Sequence, residues 1–250
     1  MRKPGCSSIS NCEVVSFWSG FLRIGAARLS AEQRDRLHAW RALPEPDLEL
    51  AMPLLRAIVV DVEASGLNLF RDRLIAVGAI GIRDSRIDYA DSFHVVLQQR
   101  NASNDANILV HGIGGTEQTG GEPPVDALLG FLEFCGKAPL VGYHSPFDEI
   151  MLDKAMRRHL GLSFKRSWLD LSWLAPALLP QRAKSCKSLD AWLDAFEIVN
   201  LKRHDALADA LATAQLLQVL NYHGEAQGLR SAAALIEAAR SQEWLVKTRK

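Results

Sequence analysis

The sequence predicts an α/β fold in which a strand meander gives way to alternating α and β elements, and three features carry that prediction. Two apolar, β-branched runs, 57–62 and 74–82, are separated by a turn-like Ser65-Gly66-Leu67-Asn68. After residue 123 the apolar spacing changes from period two to the helical period. From there short strand-like runs alternate with amphipathic helices, a pattern of layered α and β elements.

Each element follows from local composition. Residues 1–50 read as a partly helical extension of unknown role, in which Ser30-Ala31-Glu32-Gln33 has the form of a capping box opening a helix to about Arg41. Pro44 and Pro46 then break the chain, so a boundary falls near residue 50 and the main domain is expected at 51–225. The two runs that follow predict a hairpin, and a third strand at 89–97 completes a meander. Pro123 to Phe134 places Val125, Leu128, Leu129 and Leu132 on one helical stripe. Leu140 to Tyr143 reads as a short buried strand, and 146–159, 188–196 and 205–222 read as helices. Within 226–250 a final helix is expected at about 229–245, packing on the domain or extending it.

A chain of 250 residues, 48% of them hydrophobic, is long enough to bury one large core. Its 29 basic and 29 acidic residues cancel, which excludes a protein-wide positive field, so any nucleic acid must be held locally. Cys6, Cys12, Cys135 and Cys186 are scattered without a Cys-x-x-Cys pair, which argues against a zinc knuckle or a disulfide framework. The apolar stretch 14–22 is interrupted by Ser16, Ser19 and Gly20 and is too short to span a bilayer. A cytoplasmic protein with no membrane partner is the expectation.

The chemistry rests on three short motifs. In Val59-Val60-Asp61-Val62-Glu63 the period of two sends Ile58, Val60 and Val62 to one face and both acids to the other. Carboxylates spaced roughly 7 Å along one face repel unless a cation lies between them, and hard divalent ions with oxygen ligands suit that need. In Tyr143-His144-Ser145-Pro146-Phe147-Asp148 a strand runs into a helix start, with Ser145 in the N-cap position and Pro146 first in the helix. In His204-Asp205-Ala206-Leu207-Ala208-Asp209, Asp205 is the expected N-cap, His204 stands just outside the helix and Asp209 a little over one turn inside. Each motif taken alone reads as readily as surface acids before a turn or as acids favouring a helix dipole.

In this order and spacing the motifs resemble the DnaQ-like DEDD exonuclease superfamily, in its histidine-bearing branch (DEDDh), which includes the epsilon proofreading subunit of bacterial DNA polymerase III, ribonuclease T and oligoribonuclease. The resemblance covers about residues 55–222. It extends to Asp61-Val62-Glu63-Ala64-Ser65-Gly66, Asp72-Arg73-Leu74-Ile75, Val110-His111-Gly112-Ile113 and the Ala206-Leu207 and Asp209-Ala210 pairs with Thr213. It departs from the family at Ala64-Ser65, where a Thr-Thr pair is usual, and at His144-Ser145-Pro146, where H-N-A is common. The resemblance implies a ribonuclease H-like three-layer fold with a mixed five-stranded sheet. It also implies two divalent cations, Mg²⁺ or Mn²⁺, held by Asp61, Glu63, Asp148 and Asp209, with His204 as the general base toward the attacking water. By the same resemblance Ser65, Gly66, Leu67 and Phe147 lie beside the terminal nucleotide, Leu67 as an apolar wedge.

The activity so implied is 3′→5′ hydrolysis of phosphodiester bonds at nucleic-acid 3′ ends, releasing nucleoside 5′-monophosphates, with single-stranded DNA as the expected substrate and a DNA polymerase as a conceivable partner. The cations for phosphates further along the strand would come from Arg71, Arg73, Lys165, Arg166, Lys184, Lys187, Lys202 and Arg203. Two other readings use the same residues differently: a trimming enzyme for RNA or short oligonucleotides, and a non-catalytic domain that binds nucleic acid or a polymerase. Comparing hydrolysis of matched DNA and RNA separates the first, and hydrolysis of neither even with Mn²⁺ identifies the second. A polymerase-bound proofreading subunit would carry a linker and tail after residue 225, where this sequence shows one helix, so a free-standing exonuclease is expected.

Overall fold

The computed structural model describes residues 29–248; the apolar stretch 14–22, Cys6 and Cys12 lie outside them. A five-stranded sheet runs through the molecule in the order β3-β2-β1-β4-β5. Its strands are β1 (Ala57–Ala64), β2 (Leu74–Arg83), β3 (Arg86–Val96), β4 (Leu140–Gly142) and β5 (Trp168–Asp170). The expected meander is present, with β1–β2 and β2–β3 antiparallel, while β4 and β5 add in parallel on the other side of β1. Asp84 and Ser85 both adopt left-handed φ, 52° and 58°, and turn β2 directly into β3.

Helices cover both faces, forming three layers. Ile58, Val60 and Val62 of β1 pack with α4 (Pro124–Cys135) and α5 (Pro146–Leu160). Outside α4 lies α1 (Ala31–Ala42), whose capping box between Ser30 and Gln33 is formed as expected. The opposite face buries Val59, Ile80 and Ile82 against α6 (Leu171–Leu178), α7 (Leu189–Ala195), α8 (Ala206–Ala226) and α9 (Ala232–Thr248). Between β3 and α4 in the chain come α2 (Asp105–His111) and α3 (Gly115–Gly120); in the turn between them Ile113 packs on Ile75 and Ala76 of β2, and buried His111 accepts from the Ile113 amide at 3.0 Å. No described helix is long and apolar enough to cross a membrane.

Sequence patterning leaves α2, α3, β5 and α6 undetected. β5 is three residues long, too short to show a period, and is defined by its pairing with β4. α6 follows it without a loop and contains Pro176, which disguises a helix in sequence. One expectation is corrected: Ser145 is helical, at φ −52° and ψ −20°, and its side chain makes no capping bond. His144 turns the chain instead, at φ 60°, and Ser145 is buried close against Gly142, where a Cβ on that glycine would lie 3.1 Å from its own.

Candidate active site

The site forms where the end of β1 meets the first turns of α5 and α8. Asp61 and Glu63 lie half-buried on the α8 face of β1, as the period of two requires. Asp61 is paired across the sheet with Gly78 of β2, and α8 crosses over that glycine. A Cβ on Gly78 would lie 2.2 Å from the Ala206 carbonyl carbon and 2.3 Å from the Leu207 nitrogen. The missing side chain therefore admits the start of α8 to the sheet. Asp205 caps that helix, accepting from Ala208 N at 3.1 Å, and Asp209 is carried one turn further in, 3% exposed.

Carboxylate oxygens of Asp61, Glu63 and Asp209 consequently lie within 4.8 Å of one another. Asp148 joins from the opposite layer, in the first turn of α5, where it is 5% exposed and its Oδ1 accepts from Val62 N at 3.1 Å. That bond ties α5 to the end of β1. Four acids approach from three elements, and the proton affinity of Asp61, Glu63 and Asp148 is raised. Desolvation, then the charges of Asp148, Asp209 and Glu63, hold the Asp61 carboxyl well above the usual carboxylate range. Glu63 is pushed up to about 8, by desolvation first and by Asp209 and Asp205 next. Desolvation also raises Asp148 well above its ordinary value, against the pull of its backbone hydrogen bonds.

His204 adopts a left-handed φ of 62° immediately before α8, and its backbone N–H donates to Asp209 Oδ2 at 2.9 Å. The residue is exposed, and among the described residues its ring has no hydrogen-bond partner. The loop after β1 carries Leu67, 87% exposed, whereas Phe147 is half-buried against the α4/α5 core. Ser65 braces this loop: its hydroxyl donates to Asp72 Oδ1 at 3.0 Å and accepts from Arg73 N at 3.0 Å. Gly66 has no room for a Cβ, which would lie 2.5 Å from Asp72 Oδ2. From α2, Asn107 donates to the Ser65 carbonyl.

Several contacts at the site escape sequence reading. Asn200 and Arg203 both donate to Asp209 Oδ1, and Arg203 also pairs with Asp190 at 2.7 Å. Arg203 is thus engaged by site acids, and it is the cation that offsets the raised proton affinity of Asp61 and Glu63. Arg166 is likewise removed from the expected phosphate-binding set, because its side chain is 5% exposed and bound to Glu45 and the Lys137 carbonyl. Asp170, from the unpredicted β5, accepts from the His144 and Ser172 amides at 3.0 and 2.9 Å and adds to the charge around Asp148. No local signal marks Asp170, because only sheet pairing with β4 brings it there.

The model of the exonuclease family matches residues 58–217, a span that contains every one of these acids and His204. The chain belongs to the exonuclease family. Among its relatives, a DNA polymerase III PolC-type protein of Thermotoga petrophila is 28% identical over 159 residues, which are 64% of this chain and 11% of that protein. A DNA polymerase III subunit epsilon-like protein of Rhodobacter capsulatus is 29% identical over 206 residues, covering 80% of this chain and 28% of that one. This exonuclease-family chain therefore spans only a small part of the curated relatives' length. In fold it is similar to E. coli exonuclease I in complex with a dT13 oligonucleotide, with a TM-score of 0.58 at 18% identity over 69% of this chain and 42% of that one. The likeness confirms the ribonuclease H-like fold implied by the motifs.

Proposed function

We propose that the chain is a DEDDh-type 3′→5′ exonuclease that depends on divalent cations and acts on single-stranded DNA ends, releasing nucleoside 5′-monophosphates. The observation that carries this reading is the convergence of Asp61, Glu63 and Asp209 oxygens within 4.8 Å. Such a cluster is electrostatically unfavourable by itself, as the raised proton affinities of Asp61 and Glu63 record, and its donors are all oxygen. It suits Mg²⁺ or Mn²⁺. Asp61, Glu63 and Asp209 would hold the ions, with Asp148 contributing from α5.

Divalent cations bound there supply positive charge to the attacking and leaving oxygens of a phosphodiester. The chain's own groups do the rest. His204, held outside α8 by its backbone bond to Asp209, takes the proton from the attacking water. Leu67 packs against the terminal base, with Gly66 and the braced Ser65 fixing the loop that presents it and Phe147 backing it from α5. Single-stranded DNA is favoured because exonuclease I, a protein of the same fold, is complexed with a dT13 oligonucleotide.

The deciding assay uses purified protein and 3′-end sequences matched in DNA and RNA, 5′-labelled, with EDTA, Mg²⁺ or Mn²⁺. Stepwise shortening of DNA from the 3′ end, abolished by EDTA and restored by either ion, is expected. Preference for RNA would replace the substrate assignment, and no hydrolysis of either polymer in Mn²⁺ would leave a binding domain.

A further inference from the structure

On the α4/α5 side of the sheet, away from the face that carries Asp61 and Glu63, lies a cleft of about 800 Å³. Arg73, Arg100, Lys154, Arg158 and His159 line it, and among the described residues no Asp or Glu does. Among the described residues none of Arg73, Arg100, Lys154 and Arg158 forms an ion pair, in contrast to Arg36, Arg56, Arg157, Arg166 and Arg203. Arg73 donates only to the Asn101 carbonyl, at 3.2 Å, and Lys154 only to the carbonyls of Leu69, Phe70 and Asp72, at 2.9, 2.9 and 2.6 Å. These bonds fix positions without neutralising charge. In a protein with 29 charges of each sign, so many cations without an ion pair around one cleft form a local positive field.

We propose that this cleft binds phosphates of the nucleic-acid strand beyond the end being cleaved. The inference rests on the exonuclease function proposed above. Continuity with the site argues for a strand over an isolated phosphate. Lys154 and Arg158 lie six and ten residues beyond Asp148 on α5, which at a rise of 1.5 Å per residue is about 9 and 15 Å. At about 3.4 Å per stacked nucleotide, that is the reach of roughly three to four nucleotides. The loop between the two places presents Leu67 and Phe70, 87% and 92% exposed, over which a strand can pass. Lys154 holds the underside of that same loop, so the cleft and the loop form one continuous surface.

The test compares the full chain with its Arg100→Glu/Arg158→Glu variant, since neither arginine contacts the carboxylates. Expected for the variant are an unchanged kcat/KM on a dinucleotide, a KM for a single-stranded 12-mer raised about tenfold or more, and a shallower dependence of that KM on salt by roughly 1.4 in log–log slope. Anisotropy of a labelled 12-mer in EDTA gives an arm that needs no catalysis, with tenfold weaker binding expected. Arg100→Lys/Arg158→Lys should behave as wild type. If wild type binds the 12-mer and the Glu variant binds it equally, or if the variant loses the dinucleotide as severely as the 12-mer, the cleft assignment is overturned. Binding of a nucleoside 5′-monophosphate as tight as that of the 12-mer would overturn the strand assignment too. Loss of binding in the variant without hydrolysis by wild type would uphold the cleft and refute the exonuclease function.

Discussion

His204 and Asp209 are five residues apart and are placed differently by the start of one helix. Asp209 is buried and faces the other acids, while His204 is exposed on a left-handed backbone just outside α8. If His204 is the base, His204→Ala should lower kcat by ~10²–10⁴-fold and leave Mn²⁺ affinity, measured by calorimetry, nearly unchanged. Wild-type turnover in the variant, or a defect confined to Mn²⁺ binding, would remove the assignment. Asp61 and Glu63 make a second prediction, on stability. Between about pH 4.5 and 8 the folded chain holds a proton on Glu63 that the unfolded chain releases, and Asp61 acts in the same direction. Stability in EDTA should therefore fall as pH rises through that window, and Mg²⁺ or Mn²⁺ at pH 8 should restore it. Asp61→Asn should flatten this pH dependence, keep or raise Tm at pH 8 in EDTA, and lose the rise in Tm caused by metal. An unfolded Asp61→Asn chain would show that the carboxylate has a structural role instead.

The element that decides the geometry of the site is the crossing of α8 over β2. Gly78 allows it, because any side chain there would strike the backbone of Ala206 and Leu207. Gly78→Ala should cost about 1–3 kcal/mol, read as a lower Tm, and should weaken Mn²⁺ binding because Asp209 moves with the helix. Gly120, where an added Cβ meets nothing within 4 Å, is the control. Gly120→Ala should change stability by no more than about 1 kcal/mol and leave metal binding intact. Equal behaviour of the two variants would sink the argument. α5 is positioned by a different device, the bond from Val62 N to Asp148, so the two helices reach the strand end independently.

Taken across its layers, the protein separates what stabilises it from what acts. α1 is fastened to α4 on the outside of one layer: Trp40 Nε1 donates to the Gly136 carbonyl at 2.7 Å, Lys137 lies 3.7 Å over its ring, and Arg36 binds Glu133 through two nitrogens at 2.6 and 2.8 Å. Trp40 is 6% exposed. Trp40→Ala should cost about 3–5 kcal/mol in thermal or urea unfolding while leaving kcat at 25 °C unchanged for the folded fraction, since no residue of α1 bonds to Asp61, Glu63, Asp148 or Asp209 among the described residues. A selective loss of kcat with unaltered stability would mean that the 30–42 segment belongs to the functional machinery.

The sequence alone determined the local chemistry: that β1 turns Asp61 and Glu63 to one face, that a helix begins beside Asp148, and that His204 precedes a capped helix carrying Asp209. These are legible because strand alternation, caps and helix starts depend on neighbours within a few residues. The order of the three motifs also sufficed for the family, whose model spans 58–217. Tertiary structure alone decided which charges meet. Arg203 joining Asp209 to Asp190 of α7, Arg166 buried against Glu45, Asp170 beside His144 and the cleft of Arg73, Arg100, Lys154 and Arg158 all join residues from separate elements. Their proximity follows from sheet order and helix crossing, which in turn hang on such contacts as Gly78 against Ala206 and the pairing of a three-residue β5. Long-range packing of that kind leaves no periodic trace in the chain, so charge pairing and the shape of the cleft become visible only once the layers are assembled.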